Sequence, residues 1–158
     1  MVGRRLLIAC AAILTAACAR EVASPTPGEL NEDPTTAPGH PCSWFTAAEI
    51  STRVGVPVRA GAMAGPLGTS CQWNGLDQSA RIEIQVIRSV SFWSVPTEGL
   101  GLSRLAGIGK DAYVIEHQGG WKAAGLLESA FVQVLVSGIE QGKQVAERLL
   151  VDTLPRVR

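Results

Sequence analysis

The spacing of apolar residues changes along the chain, and this change restricts the folds that the chain can adopt. From Ala80 to Arg88 apolar and polar side chains alternate, and the same period of two recurs from Ala130 to Val136. A period of two is typical of strands that bury one face in an antiparallel sheet. From Ile139 to Leu154 the apolar residues instead recur every three or four positions, which predicts an amphipathic helix that ends at Pro155.

Capping and turn signals predict the other elements. Thr46 and Glu49 have the spacing of a capping box, so we expect a short helix that ends near Gly55. Strands are expected at 71–73, 111–116 and 121–126, whereas 59–69 and 89–101 are expected to be irregular. The predicted fold is α+β: an antiparallel sheet of about four to five strands, with a short N-terminal helix and the C-terminal helix packed on one face.

Residues 1–17 have the pattern of a secretory leader. Arg4 and Arg5 precede a short apolar run, and small residues then lead directly to Cys18. A small-residue site followed by cysteine is what a lipoprotein signal requires, because the thiol is acylated before the leader is cut. We therefore predict a lipidated Cys18 and a location at the cell membrane, on its extracytoplasmic face. An ordinary secretory leader cleaved at the same point is the alternative.

Composition separates a tether from a folded domain. Residues 18–40 begin with Cys18 and are rich in Pro, Thr, Ser and Glu, with no apolar periodicity. Such a stretch cannot bury enough apolar surface to offset its ordering entropy, so we expect a flexible tether. Residues 41–158 are then expected to form a single α+β domain.

Two cysteines are left once the leader is removed and Cys18 is acylated. Cys42 and Cys71 form an even pair in an oxidising compartment, which predicts a disulfide. A metal site is the alternative, but no histidine pair accompanies these cysteines. We expect neither a metal nor another cofactor.

Charge argues against one class of partner. The 14 Lys and Arg residues balance the 14 Asp and Glu residues, and removing a leader that holds Arg4 and Arg5 leaves the mature chain mildly acidic. Nucleic acid requires a clustered basic surface, so we expect no nucleic-acid partner.

Few residues suit catalysis. His40 and His117 are the two histidines of the chain, and His40 lies at the end of the predicted tether. A hydrolase acting on cell-wall material would need His117 as the base together with an acid such as Asp111. No nucleotide-binding signature is present. We predict no catalytic residue and treat the hydrolase as the alternative.

Aromatic residues supply the candidate binding surface. Phe92 and Trp93 lie in an irregular connection, and Trp121 follows Gly119 and Gly120. If they are exposed, they form a patch for an envelope lipid, a glycan or a protein partner. The connection could instead fold over a sheet face and complete the core. A non-catalytic ligand- or partner-binding domain is the leading hypothesis, and a passive structural lipoprotein is a third.

Several features come in a characteristic order along the chain. They are Cys18 with its Pro-rich tether, Pro41-Cys42 opening a helix that ends at Val54-Gly55, Cys71-Gln72-Trp73, the run from Leu105 to Tyr113, and a closing helix with Ala146 and Leu149. In this order and spacing the chain resembles the Lpp/Lpq/Lpr-type small lipoproteins of actinobacteria. The resemblance implies an envelope lipoprotein whose domain has no assigned activity. That family has no established catalytic residues, so none is carried over to this chain.

Overall fold

One antiparallel sheet carries both helices on the same face. The computed structural model describes residues 39–65 and 69–157; the predicted signal peptide, lipidated Cys18 and tether as far as residue 38 lie outside them. The described residues belong to one compact unit. The helices are α1 (Ala47–Val54) and α2 (Gly142–Thr153), and the strands are β1 (Ala62–Ala64), β2 (Ser70–Asn74), β3 (Arg81–Ile87), β4 (Ser103–Arg104), β5 (Asp111–His117), β6 (Gly120–Leu126) and β7 (Phe131–Ser137).

The sheet has seven strands in the order β1-β2-β3-β7-β6-β5-β4, and every neighbouring pair is antiparallel. The α+β class and the antiparallel sheet are confirmed, but the predicted count of four to five strands is wrong. The two additional strands are β1 and β4, which are 3 and 2 residues long. Strands this short show no alternation, and both lie at the edges of the sheet, where one partner strand is enough to define them.

The face under the helices forms the main core. The alternation of β3 and β7 places Ile84 directly opposite Val134, and both side chains are fully buried. Leu149 and Leu150 of α2 belong to the same cluster, as does Ile50 of α1. Burying each of these aliphatic side chains stabilises the fold by roughly 1.5–3 kcal/mol, so the change of period read in the sequence accounts for this layer.

The capping box predicted for α1 is present. The Thr46 hydroxyl accepts the Glu49 backbone amide at 3.2 Å, and the Glu49 carboxylate accepts the Thr46 amide at 2.7 Å. An ion pair of 2.8 Å between Arg53 and Asp152 then joins α1 to α2. Within the described residues, no helix has the length and apolar character needed to cross a membrane.

The disulfide between Cys42 and Cys71 is confirmed, with the two Cα atoms 5.0 Å apart. It connects the helical turn Pro41–Ser43 to β2. Trp73 packs in the same cluster and is fully buried. The point at which the chain enters the domain is therefore covalently attached to the sheet.

Candidate functional site

The sheet face opposite the helices is covered over one half only. Residues 93–102, which we call the covering segment, place Trp93, Val95 and Leu102 over Tyr113 and Ile115 of β5. Over the other half of this face, which the covering segment leaves open, the outward side chains of β2, β3 and β7 are mostly polar. We call these two regions the covered half and the open half. One groove lies on the open half, and a second lies beside the end of β3.

Aromatic contacts attach the covering segment to the sheet. The Trp93 ring lies 5.6 Å from the Tyr113 ring and 5.5 Å from the Phe131 ring, centroid to centroid. Aromatic pairs at such separations contribute about 0.5–1.5 kcal/mol each beyond their buried area. Trp93 therefore completes a second, smaller core instead of lying free on a surface.

The first groove, which we call the apolar groove, lies beside the end of β3 and has a volume of about 550 Å³. Phe92 stands at this groove with 73% of its surface exposed. His40 lines the same groove, and its Nδ1 atom accepts the Cys42 amide at 3.1 Å. The lining residues are Gly39, His40, Pro41, Thr69, Gln85, Val86, Ile87, Arg88, Ser89 and Phe92.

The second groove, which we call the polar groove, lies on the open half and has a volume of about 360 Å³. An ion pair of 2.8 Å joins Arg81 to Glu83, whose side chain is only 16% exposed. Gln85 of β3 stands opposite Gln133 of β7 in the sheet register. The lining residues are Arg81, Glu83, Gln85, His117, Gln118, Trp121, Gln133, Leu135, Val136 and Ser137.

Burial changes two pKa values near the boundary of the two halves. Desolvation raises the pKa of the Tyr113 phenol and lowers the pKa of the Lys122 ammonium. The Lys122 Nζ atom lies 5.7 Å from the centroid of the Tyr113 ring. Lys122 takes part in none of the ion pairs that join two described residues.

The three aromatic residues of the predicted binding surface do not share one groove. Phe92 lines the apolar groove, whereas Trp93 belongs to the covering segment and packs against the sheet. Trp121 lines the polar groove, but its ring packs beside the start of α2. The Lys143 Nζ atom lies 5.6 Å from the centroid of that ring.

The histidine and acid of the alternative hydrolase are not brought together. Asp111 and His117 occupy the two ends of β5, and a rise of about 3.4 Å per residue separates them by roughly 20 Å. His117 lines the polar groove. Over residues 39–65 and 69–157, no three His, Cys, Asp or Glu side chains converge as a metal site.

Sequence reasoning missed the polar groove. Arg81, Glu83 and Gln85 are the polar positions of the alternation between Ala80 and Arg88, and the polar side of such a strand is usually a solvated surface. The signal that bears on the groove is the polar side of β3 together with Gln133 and Ser137 of β7. Only the register, which places Gln85 beside Gln133, combines these positions into one site.

No protein family, curated protein or solved structure matches this chain. The resemblance to the Lpp/Lpq/Lpr-type lipoproteins therefore stays a prediction.

Proposed function

We propose that this chain is a lipid-anchored envelope protein whose domain binds the acyl chain of an envelope lipid without catalysing a reaction. The observation that carries the proposal is Phe92, a large apolar side chain 73% exposed beside a groove of about 550 Å³. Exposed apolar surface next to a concave site favours an apolar ligand, because binding removes both surfaces from water. Ligand sites in proteins commonly have volumes of about 300–1,000 Å³.

The lining of the apolar groove fits an amphiphile. Pro41, Val86 and Ile87 supply apolar walls, and Phe92 extends them toward solvent. Polar side chains such as Thr69 also reach the groove. An acyl chain would contact the apolar walls, while the polar groups of the same lipid would meet these side chains or water.

The position of the apolar groove also favours a membrane lipid. Gly39, His40 and Pro41 form part of its wall, and these residues follow the predicted tether from Cys18. A flexible tether from residue 18 to residue 39 would have a root-mean-square length of roughly 25 Å. That length keeps the groove near the membrane and raises the effective concentration of membrane lipid around it.

Native mass spectrometry of the full-length protein, extracted gently in detergent, tests the proposal. We expect a non-covalent lipid mass on the wild-type protein, in addition to the covalent acyl chains on Cys18. Phe92→Ala should lower lipid occupancy about tenfold, because it removes most of one aromatic contact surface.

Leu100→Ala is the matched control for Phe92→Ala. Leu100 is 76% exposed, close to the 73% of Phe92, but it does not line the apolar groove. Its substitution should leave lipid occupancy unchanged. A wild-type protein without bound lipid, or an equal loss in both variants, would contradict the proposed function and favour a passive structural role.

Membrane fractionation tests the anchor separately. Cys18→Ala should move the protein from the membrane fraction to the soluble fraction, because the acylated thiol is lost. Cys10→Ala changes the cysteine inside the predicted leader and should leave the protein membrane-bound. An unchanged membrane fraction for Cys18→Ala would show that lipidation of this residue is wrong.

A further inference from the structure

We propose that the polar groove is a second binding site and that it takes an uncharged, polyhydroxylated ligand, namely a segment of a neutral glycan. This inference goes beyond the proposed function. It concerns a different groove and a different ligand chemistry, although Gln85 of β3 lines both grooves. It depends on three observations about the open half: the concave shape, the compensated charge and the amide side chains.

The polar groove is a depression and not a flat solvated face. Glu83 lies in it with a side chain only 16% exposed, and Gln85 and Gln133 are partly buried. Neighbouring side chains on adjacent strands stand about 5 Å apart, so the two amides form a continuous polar floor. His117 and Gln118, at the end of β5, also line this groove.

The charges in the polar groove compensate one another. Arg81 and Glu83 are paired at 2.8 Å, so the groove holds one positive and one negative charge side by side. An anionic ligand would meet the Glu83 carboxylate, and a cationic ligand would meet the Arg81 guanidinium. An uncharged ligand avoids both penalties.

The chemistry of the floor selects among uncharged ligands. An apolar ligand would strip water from Gln85 and Gln133 and leave their amides without hydrogen-bond partners, which is costly. Each amide offers a carbonyl acceptor and two N–H donors. A sugar hydroxyl both donates and accepts, so vicinal hydroxyl groups match the two adjacent amides. A neutral glycan segment can therefore form hydrogen bonds with both amides, whereas an apolar ligand leaves the amides without hydrogen-bond partners.

Affinity electrophoresis of the full-length protein in detergent tests this inference. The gels contain dextran, a mannan or a neutral arabinogalactan, and heparin serves as the anionic comparison. We expect retardation by at least one neutral polysaccharide and none by heparin. Gln133→Leu should weaken that affinity about tenfold, because a hydrogen-bonding amide is replaced by an apolar group.

Two further variants keep the test specific. Gln144→Leu makes the same change at an exposed position of α2, outside the polar groove, and should leave the retardation unchanged. Gln133→Glu keeps the size of the side chain but adds a charge, and should weaken binding as Gln133→Leu does. Near-UV circular dichroism establishes that each variant retains the native packing.

Several outcomes would overturn the inference: no retardation by any neutral polysaccharide, retardation by heparin alone, or equal affinity for the wild-type protein and both Gln133 variants. Phe92→Ala separates the two sites. It should leave the retardation unchanged, so loss of lipid binding at the apolar groove and loss of glycan binding at the polar groove are distinguishable.

Discussion

The indole ring of Trp93 meets the ring of Phe131 edge to face, with centroids 5.5 Å apart and an interplanar angle of 66°. Trp93 directly follows Phe92, whose side chain is 73% exposed. The helical turn Val90–Phe92 ends between them, and Trp93 has extended backbone angles. Two successive aromatic residues therefore have opposite roles: one attaches the covering segment to the sheet, and the other faces solvent beside the apolar groove.

Trp93→Ala should lower the free energy of unfolding by about 3 kcal/mol, because it removes a ring packed against two aromatic partners. Phe92→Ala should change it by less than about 0.5 kcal/mol, because that side chain contributes mainly exposed surface. Urea denaturation followed by far-UV circular dichroism measures both values. Equal losses for the two variants would contradict the opposite roles of these neighbours.

The elements predicted from local signals are confirmed. The Thr46–Glu49 capping box depends on residues three positions apart, and the alternation of β3 is visible within seven residues. The apolar spacing of α2 is equally local. Such signals can be read without knowledge of the tertiary structure, because each depends on one element and the face that it buries.

The remaining features depend on contacts between distant segments. The sequence predicts Trp93 and Trp121 on one candidate surface, but the register and the covering segment put their rings on opposite faces of the sheet. The edge strands β1 and β4 form because a neighbouring strand offers hydrogen bonds, and not because of their own pattern. A single sequence contains no information on strand order, so neither groove could be predicted from it.

Gly138 is a position where a side chain has no space. Its φ is +69°, and a Cβ atom there would lie 1.8 Å from the Ser79 carbonyl oxygen. Gly119 has a similar φ of +74° but no heavy atom within 4 Å of its Cβ position. Both glycines tolerate a backbone conformation that other residues rarely adopt.

Gly138→Ala should therefore destabilise the protein far more than Gly119→Ala. We expect about 1 kcal/mol for Gly119→Ala, which measures the conformational penalty alone. Gly138→Ala should cost at least about 2 kcal/mol more, because the backbone of β7 or of the segment before β3 must move. Thermal denaturation of the two variants measures the difference, and similar melting temperatures would show that the close approach is absent.

The Cys42–Cys71 disulfide should contribute about 3–4 kcal/mol to stability, because it closes a loop with a sequence separation of 29 residues. The double variant Cys42→Ala, Cys71→Ala should lose that amount in urea denaturation. Reducing agent should destabilise the wild-type protein but not the double variant, which serves as the control. Peptide mapping without reduction should show the two cysteines joined, and two free thiols would contradict the bond.

Lys122 should make stability depend on pH in the alkaline range. Burial lowers its pKa below the usual 10.5, and the unfolded chain returns to that value. Between the two pKa values the unfolded state binds more protons, so stability rises with pH across this window. Below the window the folded protein holds a half-buried cation, and the penalty for its burial is fully present.

Lys122→Met removes that cation and keeps the apolar part of the side chain. We expect the variant to be more stable than the wild-type protein at pH 7. The gain should be less than about 1 kcal/mol, because solvent screens the partly exposed ammonium and because the contact of Lys122 with the Tyr113 ring is lost. The difference should shrink as the pH rises toward 10.5, since the wild-type lysine then loses its proton in the folded state.

Lys110→Met is the control: Lys110 is exposed and paired with Glu128 at 2.5 Å, so its replacement should give no gain. Urea denaturation at pH 7, 8, 9 and 10 tests the trend, and a difference between wild type and Lys122→Met that does not change with pH would rule out the desolvated ammonium as its cause.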